Sequence, residues 1–181
     1  ETEMIWVKSM EEELLQLSGA VEEIIFRNDN NGYTVMTMLC NGANATAVGI
    51  ISDVNIGDEL KLIGKWKTHA SYGEQFAFEY YEQYVPSTSD SILKYLSSGA
   101  VKGIGRATAK RLVDAFGEQT LEVMQNDPQR LEQIRGISHD KAQALSAEIR
   151  KTFGMREAMI YLQRFHISPQ ESVRIWKSFG A

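Results

Sequence analysis

The chain reads as α+β, with two domains in series: a small all-β barrel followed by an all-α array. Three observations predict it. Between Ala20 and Val85 the sequence runs in five short stretches of alternating or β-branched residues separated by turn residues. From Pro86 onward that alternation is gone, and apolar residues recur at helical spacing instead. The charge divides at the same point, because residues 1–85 hold 5 Lys and Arg against 14 Asp and Glu, whereas residues 86–181 hold 14 against 10. A chain of 181 residues is long enough for two small cores.

Residues 1–19 are read as a leader, disordered or carrying a short helix over Met10–Leu17 (MEEELLQL). Residues 20–85 are the barrel, with strands expected at VEEIIFR, YTVMTMLC, NATAVGII, DELKLIGKWK and EQFAFEYYEQYV. The breaks between them are turn sequences: Asn28–Gly32, Asn41–Gly42, Asn55–Asp58 and Tyr72–Gly73. Leu60, Leu62 and Trp66 alternate with charged residues, and Phe76, Phe78 and Tyr80 alternate with Gln75, Ala77 and Glu79, so each set is expected to line one face. Five short strands in this length suggest an OB-type barrel. Trp66, Tyr72, Tyr80, Tyr81 and Tyr84 are candidates for stacking bases, although so acidic a domain lacks a basic groove to follow a phosphate backbone.

Pro86-Ser87-Thr88-Ser89 is the connector and offers helix caps. Residues 86–181 form the helical array, and their organising stretch is Val101–Phe116, VKGIGRATAKRLVDAF. Gly103 and Gly105 flank Ile104 between two apolar helical runs, which predicts two helices joined by a tight turn with Ile104 turned inward and both glycines free to take positive φ. The helix starting near Arg106 then points unpaired amides and its positive dipole end at solvent, a ready site for a phosphate. Lys102, Arg106, Lys110 and Arg111 surround it, and Ala107 lies in the first helical turn.

This pattern resembles the helix-hairpin-helix motif, which implies contact with a nucleic-acid backbone and no reading of bases. The motif repeats. Gly136-Ile137-Ser138, with Arg135 and Lys141 beside it, forms a second and weaker copy; His166-Ile167 begins a third whose Ser168-Pro169-Gln170-Glu171 caps itself and is read as scaffold. Phe116-Gly117, Phe153-Gly154 and Phe179-Gly180 are expected to mark three equivalent helix ends.

Several classes of function find no support. No apolar run is long enough for a membrane span, the start lacks the pattern of a secretory signal, and the single Cys40 fits a reducing cytoplasm. His69, His139 and His166 have no metal-ligand spacing, so neither a metal nor a catalytic group is expected. A phosphate-binding P-loop is missing, since the only Gly-Lys, Gly64-Lys65, is followed by Trp66. No cofactor is therefore expected in this span. The absent initiator Met and the stop at Ala181 suggest a piece of a longer chain.

Taken together, RNDNNGYTV, GKWKTHASYGEQFAF, SILKYLSSGAVKGIGRATAKRLVDAFG and QNDPQRLEQIRGIS resemble the N-terminal region of bacterial RecD-like DNA helicases of the RecD/TraA family. The resemblance implies an OB-type barrel and a tandem helix-hairpin-helix domain preceding motor domains that use ATP and Mg²⁺. It also implies DNA and those downstream motor domains as partners, no membrane, and a place in DNA repair or recombination. Two other readings stand beside it: a Holliday-junction protein resembling RuvA, and a protein-interaction scaffold without DNA binding.

Overall fold

The computed structural model describes residues 14–51, 53–163, 165, 167, 171, 174, 175, 178 and 179. Five strands, β1 (Leu15–Arg27), β2 (Tyr33–Cys40), β3 (Ala43–Ile50), β4 (Glu59–His69) and β5 (Gly73–Tyr84), close into a barrel in the order β1-β2-β3-β5-β4. All neighbours are antiparallel except β3 and β5. The Asn41-Gly42 turn has both residues at positive φ, the mirror-image turn that matches the twist of a two-residue hairpin.

β1 begins at Leu15, so Leu15–Leu17 are strand and not the end of a leader helix; the rest of that expected helix, Met10–Glu13, lies outside the described residues. Closure explains the extension. The first half of β1 pairs with β4, from Leu15 opposite Gly64 to Ala20 opposite Glu59, and the second half pairs with β2. Two register shifts, between Val21 and Glu23 and between Ile24 and Phe26, bend the strand so that it serves both neighbours. Val21, Met36, Met38, Leu60, Leu62, Phe76 and Phe78 fill the interior. A further shift, where Gly64 meets Phe78 and Ile63 meets Tyr80, leaves Glu79 as the extra residue. Tyr80 is consequently exposed and Tyr81 packs on Phe78, which corrects the expectation that Tyr80 continues the face of Phe76 and Phe78.

The helical part contains α1 (Ser89–Ser97), α2 (Arg106–Phe116), α3 (Thr120–Asn126) and α4 (His139–Gln163), with 3-10 turns at Gly117–Gln119 and Pro128–Gln133. Thr88 caps α1 in a reciprocal pair with Ser91. Gly117 ends α2 at φ 54, as expected of a glycine past a helix end. Gly154 does not end a helix, which corrects the second of the three expected Phe-Gly ends. α4 runs on through it because Met155, Arg156, Glu157 and Ala158 favour helix, and because Arg156 is anchored from outside. Gly180, the third, lies outside the described residues. Ile92, Tyr95, Leu96, Val101, Ile104, Leu112, Leu145, Ile149 and Phe153 make the helical core.

Barrel and helices meet through buried polar contacts. The β3–β4 loop brings Gly57 so close to α1 that a Cβ there would lie 2.5 Å from the Ser91 carbonyl oxygen. From α4, the Arg156 guanidinium donates to Asp58 Oδ2 at 2.9 Å, lies 3.5 Å from Asp53 Oδ2, and stacks over the Tyr95 ring at 5.3 Å. Asp58 also accepts from the Asn55 amide and from the Gln83 side chain, at 2.7 and 2.9 Å. Lys94 of α1 adds a bond to Glu22 of β1 at 2.8 Å.

Burial pushes the Asp58 carboxyl up to about 6, and the Arg156 charge with the Asn55 and Gln83 bonds draws it only partly back. The folded state thus holds this proton more tightly than the unfolded chain, so the stability contributed by protonation at Asp58 is complete below the ordinary value of 3.8 and is lost as pH rises through about 6. Arg156→Met leaves a buried carboxylate without its cation, and is expected to lower unfolding free energy at pH 7.5 by about 3 kcal/mol. The loss should shrink at pH 5, where Asp58 takes up a proton, while Asp58→Asn should flatten the profile between pH 4 and 7. Urea unfolding followed by circular dichroism checks this; an equal loss for Arg156→Met at pH 5 and 7.5 contradicts it.

Candidate nucleic-acid interface

The two turns are built alike, residue for residue, at an offset of 33. Val101 and Ile134 are buried at the start, Ile104 and Ile137 are buried at the centre, and Ala109 and Ala142 are buried in the helix that follows. In each, the amide of the central isoleucine donates to the carbonyl three residues before it, at 3.3 Å in the first and 3.0 Å in the second. Gly103 and Gly136 sit at φ 93 and 90, a conformation that a side chain resists. Each glycine also packs toward the other unit: a Cβ on Gly103 would lie 3.6 Å from Leu145 of α4, and one on Gly136 would lie 3.4 Å from the Arg111 guanidinium of α2.

The units differ at one decisive position. Gly105 is the N-cap of α2 and makes no side-chain cap bond, so the first amides of that helix face solvent without a partner from the cap. Ser138 stands at the same place before α4, and its hydroxyl accepts from the Lys141 amide at 3.3 Å. The second unit has filled internally part of what the first leaves open. Gly105 has φ −97, extended backbone that any residue adopts, and a Cβ there would meet nothing within 4 Å. Positive φ is therefore a requirement at Gly103 and not at Gly105. The absence of a side chain at Gly105 keeps space in front of the amides.

The cations divide. Lys102 and Arg106 are exposed beside the first turn and have no ion-pair partner among the described residues. Lys110 pairs with Asp114 one turn further along α2, at 3.1 Å. Arg111 does not join the collar of the first turn, because its guanidinium donates to the Arg135 carbonyl and braces the second turn. Ile104 turns its side chain inward and spends its amide inside the turn, so it shapes the site without facing it. Gly103, Gly105, Arg106 and Ala107 form the exposed lip. Around the second turn, Arg135, Gly136 and Ser138 are exposed and Lys141 is half-buried. Of the third expected hairpin, His166, Ser168, Pro169 and Gln170 lie outside the described residues.

Sequence reasoning missed His139 and Glu132, which meet at 2.7 Å beside the second turn, where the carboxylate raises the imidazole pKa. His139 occupies the place that Arg106 holds in the first unit, and the offset of 33 is the signal that would have found it. Of the barrel aromatics, Tyr72, Tyr80, Tyr84 and Trp66 are exposed to different degrees, and Trp66 sets its ring edge-on to Phe76 at 5.3 Å. Among the described residues, no group of His, Cys, Asp and Glu is arranged to hold a metal, and no helix is long and apolar enough to cross a membrane.

Comparison with known proteins follows the same division. Residues 14–86 match the family described as the OB-fold domain of the ATP-dependent DNA helicase YrrC. Residues 94–151 match the SAM-like helix-hairpin-helix tandem. The ATP-dependent RecD2 DNA helicase of Deinococcus radiodurans is 24% identical over 177 residues, which cover 93% of this chain and 24% of the relative. The chain thus spans about a quarter of that protein's length, and neither matched family is a motor domain. The chain joins an OB-fold domain of the YrrC helicase type to a helix-hairpin-helix tandem, and over nearly its whole length it is similar to part of a RecD2 helicase.

Proposed function

We propose that this region binds the DNA backbone without sequence preference and delivers it to the motor domains of an ATP-dependent RecD-like helicase acting in DNA repair or recombination. The observation that carries the reading is the uncapped start of α2. Gly105 leaves amides open beside unpaired Lys102 and Arg106, and one phosphate oxygen cluster matches that arrangement of donors. Gly103 and Ile104 hold the turn, Ala107 presents no bulk, and Lys110 can exchange Asp114 for a second phosphate because both are largely exposed. The Arg135, Gly136, Ser138 and Lys141 turn is the weaker site, since Ser138 competes for the amides and Asp140 adds a like charge to the ligand. ATP and Mg²⁺ belong to motor domains that neither matched family contains.

Such contacts act mainly through charge, so affinity for short DNA should fall with salt at a log–log slope on the order of −2. Replacing Lys102 or Arg106 by Ala should flatten that slope by up to about 1. Fluorescence titration at two salt concentrations measures both, and an affinity indifferent to salt sinks the reading.

Gly105→Ser installs in the first turn the cap found in the second. Stability should rise by a few tenths of a kcal/mol, as for other Gly-to-Ser caps, while DNA affinity drops several-fold. The two effects have opposite signs, so misfolding cannot imitate the result. Ser138→Gly should move both quantities the other way. Thermal melts and titrations on the same samples decide it, and unchanged DNA affinity in Gly105→Ser removes the α2 terminus as the site.

The 181-residue chain should release no phosphate from ATP above background, with or without DNA. Turnover that copurifies with the protein through successive columns contradicts this.

A further inference from the structure

Where the end of β5 meets α3 and α4, there is a cleft of about 330 Å³ that takes in no residue of either hairpin turn. Val85 and Pro86, which follow β5, form one part of its lining, and Leu121 of α3 with Phe153 of α4 form another. Pro86, Leu121 and Phe153 are buried, whereas Val85 keeps 43% of its surface exposed. The cleft thus combines packed apolar residues with one open apolar side chain, at the junction of barrel and helices.

Its polar lining has two parts of opposite demand. Glu118, Glu122 and Glu157 are exposed carboxylates with no ion-pair partner among the described residues, and Glu118 and Glu122 stand at the spacing at which like charges on a helical run repel. The cation beside them on α4, Arg150, gives its Nε to the Gln125 carbonyl at 2.7 Å. Arg156 also lines the cleft and is only 6% exposed. Its Nη2 bonds Asp58 and its Nε lies 3.5 Å from Asp53, but Nη1 is buried without a hydrogen-bond partner. A buried N–H of this kind calls for an oxygen acceptor. Three free carboxylates in the same lining oppose an anionic one, so the acceptor that fits is an uncharged carbonyl.

We propose that this cleft docks an extended segment of a second protein in which basic and apolar residues alternate. An apolar side chain rests against Val85 and Phe153, a main-chain carbonyl accepts from Arg156 Nη1, and lysine or arginine side chains reach Glu118, Glu122 and Glu157. A peptide carries a neutral carbonyl and a cation within one side-chain length of each other, which is the pairing this lining asks for. The segment is extended because a helix spends its carbonyls on its own amides, whereas an extended chain leaves them free. Nucleic acid is the wrong occupant, since its phosphates would meet three unpaired carboxylates. A second copy also fits poorly: among the described residues the lysines and arginines stand on helices, tight turns or paired strands, so the chain offers no free extended basic segment of its own.

The test titrates the 181-residue chain into a fluorescein-labelled decapeptide that alternates lysine with leucine. Binding should saturate below about 100 μM, fall about 10-fold when serine replaces the leucines, and vanish when glutamate replaces the lysines. The double change Glu118→Lys with Glu122→Lys should weaken binding about 10-fold and leave the melting curve close to the parent's, because both positions are exposed. Glu74→Lys with Glu79→Lys reverses the same number of charges further up β5, outside the cleft, and should change little. Gly105→Ser should leave peptide affinity unaltered, which separates this site from the turn site. A peptide carrying a photoreactive leucine should crosslink to residues 83–86 or 118–125. No binding by about 100 μM, equal binding of the glutamate peptide, equal losses from the two double reversals, or crosslinks confined to β1–β4 would each overturn the proposal. Dimerisation of the chain that the Glu118 and Glu122 reversal abolishes would overturn it too, and would make a second copy the occupant.

Discussion

The arrangement of the whole molecule depends on one buried ion pair, Arg156 with Asp58. Each charge alone would be costly to bury, and they are tolerated because each answers the other, while Asn55 and Gln83 donate to the same Asp58 oxygen and the Tyr95 ring lies under the guanidinium. A pair of this kind adds little net stability against an apolar contact, but it is selective about geometry. An apolar patch would let the helical array slide on the barrel. A guanidinium placed between Asp53, Asp58 and Tyr95 has one satisfactory position, and Lys94 on Glu22 fixes a second point on the same interface. Three of the barrel's carboxylates, Glu22, Asp53 and Asp58, are therefore complements of two cations on the helices, Lys94 and Arg156.

The helices show how a duplicated unit diverges with its shape retained. Buried and exposed positions coincide from Val101–Ala109 to Ile134–Ala142, and so do the turn bond and the left-handed glycine. What changed is the chemistry on the rim: Gly105 against Ser138, Arg106 against His139, Ala107 against Asp140. Shape is governed by the buried set, so rim residues can vary without cost to the fold. The second unit has exchanged an open terminus for a capped one, and Arg111 from the first unit braces its turn.

Much of this was legible in the sequence. Residues that alternate between Asn-Gly turns, as in β2, leave little choice of structure, and the OB-type barrel followed by a hairpin tandem is what the chain forms. The failures share a physical origin. Tyr80 left the face of Phe78 because one extra residue, Glu79, was absorbed to suit the partner strand, and nothing local to β5 announces that. Gly154 reads as a helix end from its own identity, but Arg156 two residues later is held by the barrel, and tertiary anchoring overrides a weak local preference. Within the candidate site, the glycines and isoleucines were recognisable from spacing, whereas the destination of each long basic side chain was not. Lys110, Arg111 and Arg106 look equivalent in sequence and have three different fates.

The uninterrupted course of α4 gives the molecule a fixed internal length. Its first residue, His139, stands at the second turn, and Arg156 in its fifth turn is clamped by the barrel. At 1.5 Å per residue the 17 intervening steps make a rod of about 26 Å, comparable with seven or eight base steps of duplex at 3.4 Å each. The second turn at one end of that rod and the barrel at the other are thereby kept at a set separation, so α4 acts as a spacer that holds the two domains' surfaces at one distance.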